Sequence, residues 1–314
     1  YANHGMRASI MAQNKIYSEI KMAGNLATIN DMIIPMSDVF ELQGMREMKE
    51  KEKKYLNGDD GRVNVIIPAA GDPSYEESMR DIVKDSPIAM LDINGKSILQ
   101  RNVETLAKLN LFNITVIKGY HSEKFDVGGV SYIDNSEYAN TSLLYSIMLA
   151  EKDLNGNTII IFSDVLFGKD IIRRLISSFS DIVLVIDSSL PKKGSSIDYV
   201  YAKYPPIKGN RVMHQERENP INKIGKDLDS AEAQFEFTGI SYFSVKGIEI
   251  LKETYDEFYA DPKCRLYQRK DFYQIIQRII DKGYQVLGME VTSGWMEIRN
   301  FENYKMAHNF FSGS

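Results

Sequence analysis

A single carboxylate, Asp164, closes the run IIIFSD (residues 159–164), and Val165, Leu166 and Phe167 follow at once. A charge at the rim of so apolar a stretch has to be neutralised or solvated. The candidates are a bound cation, a helix N-terminus or water. VNVIIPAAG ends in the same manner at Gly71, and DIVLVIDSS at Asp187. Other chemistries find less support. The one cysteine, Cys264, sits among charges in DPKCRLYQRK, without the His/Asn arrangement that activates a thiol. His4, His121, His214 and His308 are scattered, without the spacing of metal ligands. The chain holds no GxGxxG, Walker A or HExxH pattern, and no GxSxG elbow for a serine triad.

The elements that position these residues come from a chain of 314 residues, 43% hydrophobic and 26% charged. That suffices for one large domain, or for one domain with an extension. A net charge of −5 argues against a general nucleic-acid binder, which needs a basic footprint. No apolar run approaches the roughly 20 residues of a membrane span. A lone cysteine cannot form an internal disulfide, which makes a reducing cytoplasm the expected compartment. The opening YANHGMRAS is no charged-then-apolar leader. It also lacks an initiator Met, which points to a piece of a longer polypeptide.

Residues 1–57 read as a helical extension: Ile10, Ile16, Ile20 and Met22 recur at helical spacing, and Glu and Lys alternate through MREMKEKEKKYL. The turn chemistry of NGDDG at residues 57–61 marks the boundary, leaving 58–314 as the main domain. There the periodicity predicts strands at VNVIIPAAG, NITVIKGY, NTIIIFSD and DIVLVIDSS. Helices are predicted at SILQRNVETLAKLNL, TSLLYSIMLAEKDL and KDIIRRLISSF. Such alternation is the mark of an α/β fold whose mainly parallel sheet is covered on both faces, with ligands beyond the carboxyl ends of the strands. DYVYAKYPPIKGNRVMHQE and QFEFTGISYFS read as antiparallel strands of an insertion or lid. Helices at GIEILKETYDEFY and KDFYQIIQRIIDKG, a strand at YQVLGMEV and a closing helix complete the chain.

The order IIPAAG, SPIAMLDINGKSIL, ITVIKGY, NTSLLYSIMLA, IIIFSDVLF, FTGISYFS, GWMEIRNFENYKMA resembles the nucleoside-triphosphate transferase superfamily. Within it, residues from about Val63 to Ala307 most resemble the cytidylyltransferases that activate phosphocholine or small phosphonates. The resemblance implies a three-layer sandwich around a mostly parallel, Rossmann-like mixed sheet. YANHGMRAS with the following helix and the KEKEKKYL tail resembles the C-terminal end of phosphoenolpyruvate mutase, as in bifunctional phosphonate-pathway enzymes. That extension also suits packing or a homodimer contact.

The same resemblance assigns roles. Asp164 becomes a Mg²⁺ ligand, joined by Glu297 of the late W-x-E-x-D pattern, whose last position here is Arg299. Ala69, Ala70, Gly71 and Asp72 replace the G-x-G-x-R loop of relatives, and Pro87-Ile88 stands where they carry Pro-Lys. Arg80, Lys84 and Lys96 are the cations at hand for a triphosphate, with Lys84 the catalytic candidate and Lys96 a nucleotide contact. Asn140, Thr141 and Ser142 fall where relatives touch nucleotide or acceptor, and equally read as a helix N-cap. Lys226 faces an acceptor phosphoryl group, Trp295 walls the acceptor pocket, and Glu216, Glu218 and Tyr242 are candidates for an ammonium cage. The implied reaction transfers CMP from CTP to 2-hydroxyethylphosphonate or 2-aminoethylphosphonate, releasing pyrophosphate. The altered loop and Arg299 leave two alternatives open: a regulatory pseudoenzyme, or a nucleotide-sugar glycosyltransferase, which would want D-x-D where Leu166 stands.

Overall fold

The computed structural model describes residues 63–73, 77, 79–178, 180–189, 197–206, 219–226, 228–229, 233–260 and 271–311. The expected helical extension, its mutase-like segment and its dimer contact lie outside the described residues, as do Glu216 and Glu218. In chain order the elements are β1 (Asn64–Ala69), α1 (Arg80–Val83), β2 (Asp92–Ile93), β3 (Lys96–Ser97), α2 (Ile98–Ala107), β4 (Ile114–Lys118) and β5 (Ser131–Asp134). Next come α3 (Leu143–Leu149), β6 (Thr158–Ile161), β7 (Val165–Phe167), α4 (Lys169–Ile176), β8 (Ile182–Asp187), β9 (Tyr199–Ala202) and β10 (Asn219–Gly225). The last are β11 (Phe235–Phe243), α5 (Val245–Ala260), α6 (Phe272–Asp281), β12 (Leu287–Val291), β13 (Trp295–Glu297) and α7 (Phe301–Phe311).

Nine strands form one mixed sheet in the order β5-β4-β1-β6-β11-β8-β12-β10-β9. β5, β4, β1, β6, β8 and β12 share one direction, while β11 and β10 oppose it. Alternate residues of β1 sort to opposite faces, as the period of a strand requires. Ile66 joins Ile160, Leu144, Ile147, Leu251 and Ile275 in one core cluster. Val65 and Ile67 join Leu99, Leu106, Ile172 and Leu175 in another. The helical stripe that the periodicity predicted in α4 is therefore the face that buries Ile171, Ile172, Leu175 and Ile176. Pro68 is tolerated inside the sheet because β1 pairs with β6 only as far as Ile66. Beyond that point the carboxyl end of β1 is paired on the β4 side alone.

One expectation is overturned. Phe235–Phe243 belongs to no lid: it is the central strand between β6 and β8, and all nine residues are buried. Its antiparallel course misleads a reading built on strand–helix alternation, while its packing answers to the run of Phe, Ile and Tyr side chains. Tyr242, considered for an ammonium cage, packs there with Ile159 and Val183. β9 turns back to pair with the start of β11, so the pairings β11–β8–β12–β10–β9 return to β11. The short strands β2, β3, β5 and β7 carry too little periodicity to be predicted. Among the described residues, no helix is long and apolar enough to cross a membrane.

The register of β11 slips between Phe237 and Ser241, and Gly239 in that interval takes φ +79°. A Cβ at Gly239 would stand 2.9 Å from the Phe162 ring, and the Phe162 N–H donates to the Gly239 carbonyl at 3.0 Å. The bulge thus seats the residue two before Asp164. Gly239→Ala combines left-handed strain with displacement of Phe162. It is expected to lower stability by about 1–3 kcal/mol, read as a shift of the urea midpoint at unchanged m-value.

Candidate functional site

Asp164 lies in the turn between β6 and β7, three residues beyond the last residue of β6. Phe162 anchors that turn edge-on against Phe237 and Phe272, at centroid distances of 5.7 and 5.8 Å. β7 then pairs antiparallel with β13, setting Val165 opposite Glu297 and Phe167 opposite Trp295. The Ile298 N–H donates to the Asp164 carbonyl at 2.8 Å. This ribbon brings together two carboxylates 133 positions apart in the chain. Asn102 of α2 fixes it from behind, its Nδ2 donating to the Val165 carbonyl at 2.8 Å.

The ribbon delivers Asp164 and Glu297 into an acidic cluster. Burial, and then the neighbouring Glu297, push Asp164 up to about 7. Burial likewise raises Glu297, against the pull of Arg299. Arg299 donates from one nitrogen to Glu297 at 2.6 Å and to Glu236 at 2.9 Å. Although burial opposes its charge, the carboxylates around it hold its guanidinium above the ordinary arginine range. Glu236 stands opposite Asp187 in the β11–β8 register and is only 4% exposed. Burial drives it up to about 7 despite Arg299, and Glu297 and Asp187 add to the rise.

On the far side, the Asp198 carbonyl accepts from the Phe237 N–H at 2.9 Å. Its carboxyl is pushed by burial to about 6, with Lys226 acting against the shift. Lys226 pairs with Asp271 at 3.2 Å; burial works against its charge, but Asp198 and Asp271 keep it above its ordinary value. Asp187 is held by the Ser189 N–H at 2.6 Å and by the Trp295 indole N–H at 2.5 Å.

Of the remaining sequence candidates, Ala69 closes β1 and Ala70 follows it, both buried. At Gly71 an added Cβ would meet nothing within 4 Å, and Asp72 is exposed. The nearby strand end depends on a glycine the periodicity did not single out: a Cβ on Gly119 would stand 2.7 Å from Tyr138 and 2.8 Å from the Ala70 carbonyl. Lys84 and Arg80 are exposed in the segment that follows. The Lys84 carbonyl accepts from the Tyr120 hydroxyl at 3.1 Å and meets His121 Nε2 at 2.9 Å. The Lys96 ammonium is paired with Glu104 at 2.7 Å. Ser142 is buried, and its hydroxyl caps α3 by accepting from the Tyr145 N–H at 3.2 Å. The Thr141 hydroxyl donates to the Glu137 carbonyl at 2.9 Å, and Asn140 is exposed beside it.

Asp198, Glu236 and Asp271 were missed. The signal for Glu236 was present in FEF, a charge between two phenylalanines of a strand. Asp198 and Asp271 looked like ordinary polar residues ahead of regular elements. Among the described residues, no three His, Cys, Asp or Glu side chains are arranged as a metal-binding group.

No family model matches the chain. It is similar to the choline-phosphate cytidylyltransferase of Streptococcus pneumoniae, 29% identical over 96 residues, which are 29% of this chain and 41% of that protein. It is also similar to the choline-phosphate cytidylyltransferase of Haemophilus influenzae, 32% identical over 97 residues, or 30% and 40% of the two chains. The match thus spans about two fifths of these curated relatives. The solved CTP:phosphocholine cytidylyltransferase of S. pneumoniae superposes with a TM-score of 0.57 at 19% identity, covering 80% of this chain and all of that one. The fold is shared with that transferase. As in the resemblance read from the sequence, it is an α/β fold with helices packed on a mixed sheet.

Two outcomes test the electrostatics. Arg299→Met leaves Glu236 and Glu297 buried without their cation and is expected to cost about 3–5 kcal/mol of stability. For Glu236, a folded pKa above the unfolded one means that the fold binds the proton more tightly. Stability from this group is therefore full below pH 4.5 and is lost as pH rises toward 7. Urea titrations across that window should show the wild type falling relative to Glu236→Gln by roughly 3 kcal/mol.

Proposed function

We propose that the chain is a cytidylyltransferase that moves CMP from CTP to a small phosphonate. The observation that carries this reading is the Asp164–Glu297 pair on the β7–β13 ribbon. It lies in a fold shared with a cytidylyltransferase, and the chain is similar in sequence to two choline-phosphate cytidylyltransferases. Burial raises the proton affinity of both carboxylates, and Glu297 adds to the rise at Asp164, so a divalent cation would offset charge that Arg299 only partly meets. Their chemistry fits Mg²⁺, which takes one or two carboxylates and keeps several waters. One oxygen of Glu297 is committed to Arg299, which leaves the other oxygen and Asp164 as the donors. When bound there, Mg²⁺ would offset charge on the α-phosphate.

In the proposed reaction an acceptor phosphonate oxygen forms a bond to the α-phosphorus. The bond from that phosphorus to the bridging oxygen breaks, and pyrophosphate leaves with the electron pair. The nucleophile is already ionised near neutral pH, so no strong base is needed, and positioning does most of the work. The backbone beside Gly71, which has open space around it, is offered to the nucleotide. Lys226 is the cation offered to the acceptor anion, and Trp295 bounds the acceptor's space. The phosphonate class rests on the mutase-like N-terminal segment rather than on this geometry.

Pyrophosphate release is the test, with CTP and Mg²⁺ against 2-hydroxyethylphosphonate, 2-aminoethylphosphonate and phosphocholine. Release with one phosphonate is expected, and Asp164→Asn should lower it by roughly 100-fold or more. Release with phosphocholine alone would keep the transferase and remove the phosphonate. No release from folded protein would favour a regulatory pseudoenzyme, with Arg299 as its mark.

A further inference from the structure

We propose that the space between α2, the β7–β13 ribbon and the end of α7 is a second ligand site, for a small planar anion with a largely apolar body. The cavity there measures about 360 Å³, within the size range of small-molecule pockets. Its walls are mainly apolar and aromatic, with Phe167, Trp295 and Met296 from the ribbon and Phe311 from α7. Arg101 and Thr105 supply polar lining along α2.

Arg101 carries the argument. Its Nη2 donates to the Ile93 carbonyl, and its guanidinium carbon stands 4.0 Å from the centre of the Phe311 ring. Nε is buried and has no hydrogen-bond partner among the described residues. Nε has no exposed surface, so a bound anion would meet the guanidinium charge that lines the cavity rather than this N–H. The charge of the ligand follows from its surroundings. Arg101 and Lys108 both line the cavity, whereas the carboxylate of Glu104 is already taken by Lys96 at 2.7 Å and Gln100 at 3.3 Å. The flat shape follows from the aromatic walls, since rings bind best against the faces or edges of other rings.

This site is distinct from the acidic cluster but shares Trp295 with it. The same indole that lines the cavity donates to Asp187, and Glu297 follows two residues later. An occupant therefore leans on the strand that carries Glu297.

Trp295 is the single tryptophan of the chain and a built-in reporter. The probe is 8-anilinonaphthalene-1-sulfonate, an aromatic sulfonate with a flat naphthalene ring, titrated into the full chain and read by energy transfer from Trp295. Saturable binding of one probe per chain is expected. Arg101→Met, which removes the anion partner, and Thr105→Phe, which fills the space, should each weaken it roughly tenfold or more. CTP should not compete, and Asp164→Asn should bind as the wild type does. Unchanged affinity in either folded variant, or displacement by CTP, overturns the proposal. Binding is read without turnover, so failure of the transferase assay leaves this test intact.

Discussion

Arg299 is the charge around which the rest of this domain is arranged. Six carboxylates (Asp164, Asp187, Asp198, Glu236, Asp271 and Glu297) gather around it and Lys226. Lys226 and Asp271 reach solvent, while Arg299 meets Glu236 and Glu297 in the buried part of the cluster. Burial first, and the neighbouring acids after it, displace the proton affinities of Asp164, Glu236 and Asp198 upward. Glu236 is the extreme case, a carboxylate at the second position of the fully buried strand β11. The guanidinium 2.9 Å away offsets part of the cost of burying its charge, and the raised proton affinity reflects the rest. A fold that keeps such a cluster holds electrostatic tension, and sites of this kind are where perturbed titration and function coincide.

The tension sits where the backbone is most constrained. β6 stops at Ile161, Phe162 is wedged between Gly239 and two further phenylalanines, and Asp164 follows in a tight turn. The β7–β13 ribbon then ties that turn to the strand bearing Glu297 and, beyond it, Arg299. Two rigid elements, the bulged β11 and the ribbon, meet at these side chains. For a transfer that depends on position more than on acid–base chemistry, rigidity of this kind matters most. The placement of Arg299 also bears on the departure from the W-x-E-x-D pattern. The arginine leaves the carboxylates in place, adds a fixed positive charge among them and occupies one oxygen of Glu297.

Much of this was legible in the residues alone. The period-two apolar runs of β1, β4, β6 and β8 and the helical stripes of α2, α4 and α6 place the main elements, because burying one face needs no knowledge of the partner. Asp164 could be singled out for the same reason, since a lone charge at the end of an apolar run calls for an explanation wherever the chain goes. Ser142 as a helix cap was readable too, since capping is local.

What only the tertiary structure decided are the meetings of distant segments. That FEFTGISYF is the centre of the sheet, that Glu236 faces Asp187, that Asp198 comes alongside through the return of β9, and that Arg299 bridges two acids are consequences of strand order. Strand order is not written in local periodicity. An edge strand and a central one can share the same alternation, and a buried carboxylate looks like a solvated one until its cation arrives from elsewhere in the chain. Residue types and spacing thus determined the elements and pointed to one candidate acid. The charge balance that makes the acid special arose only when elements far apart in sequence packed together, because Coulomb interactions depend on distance in space and on the water excluded from it.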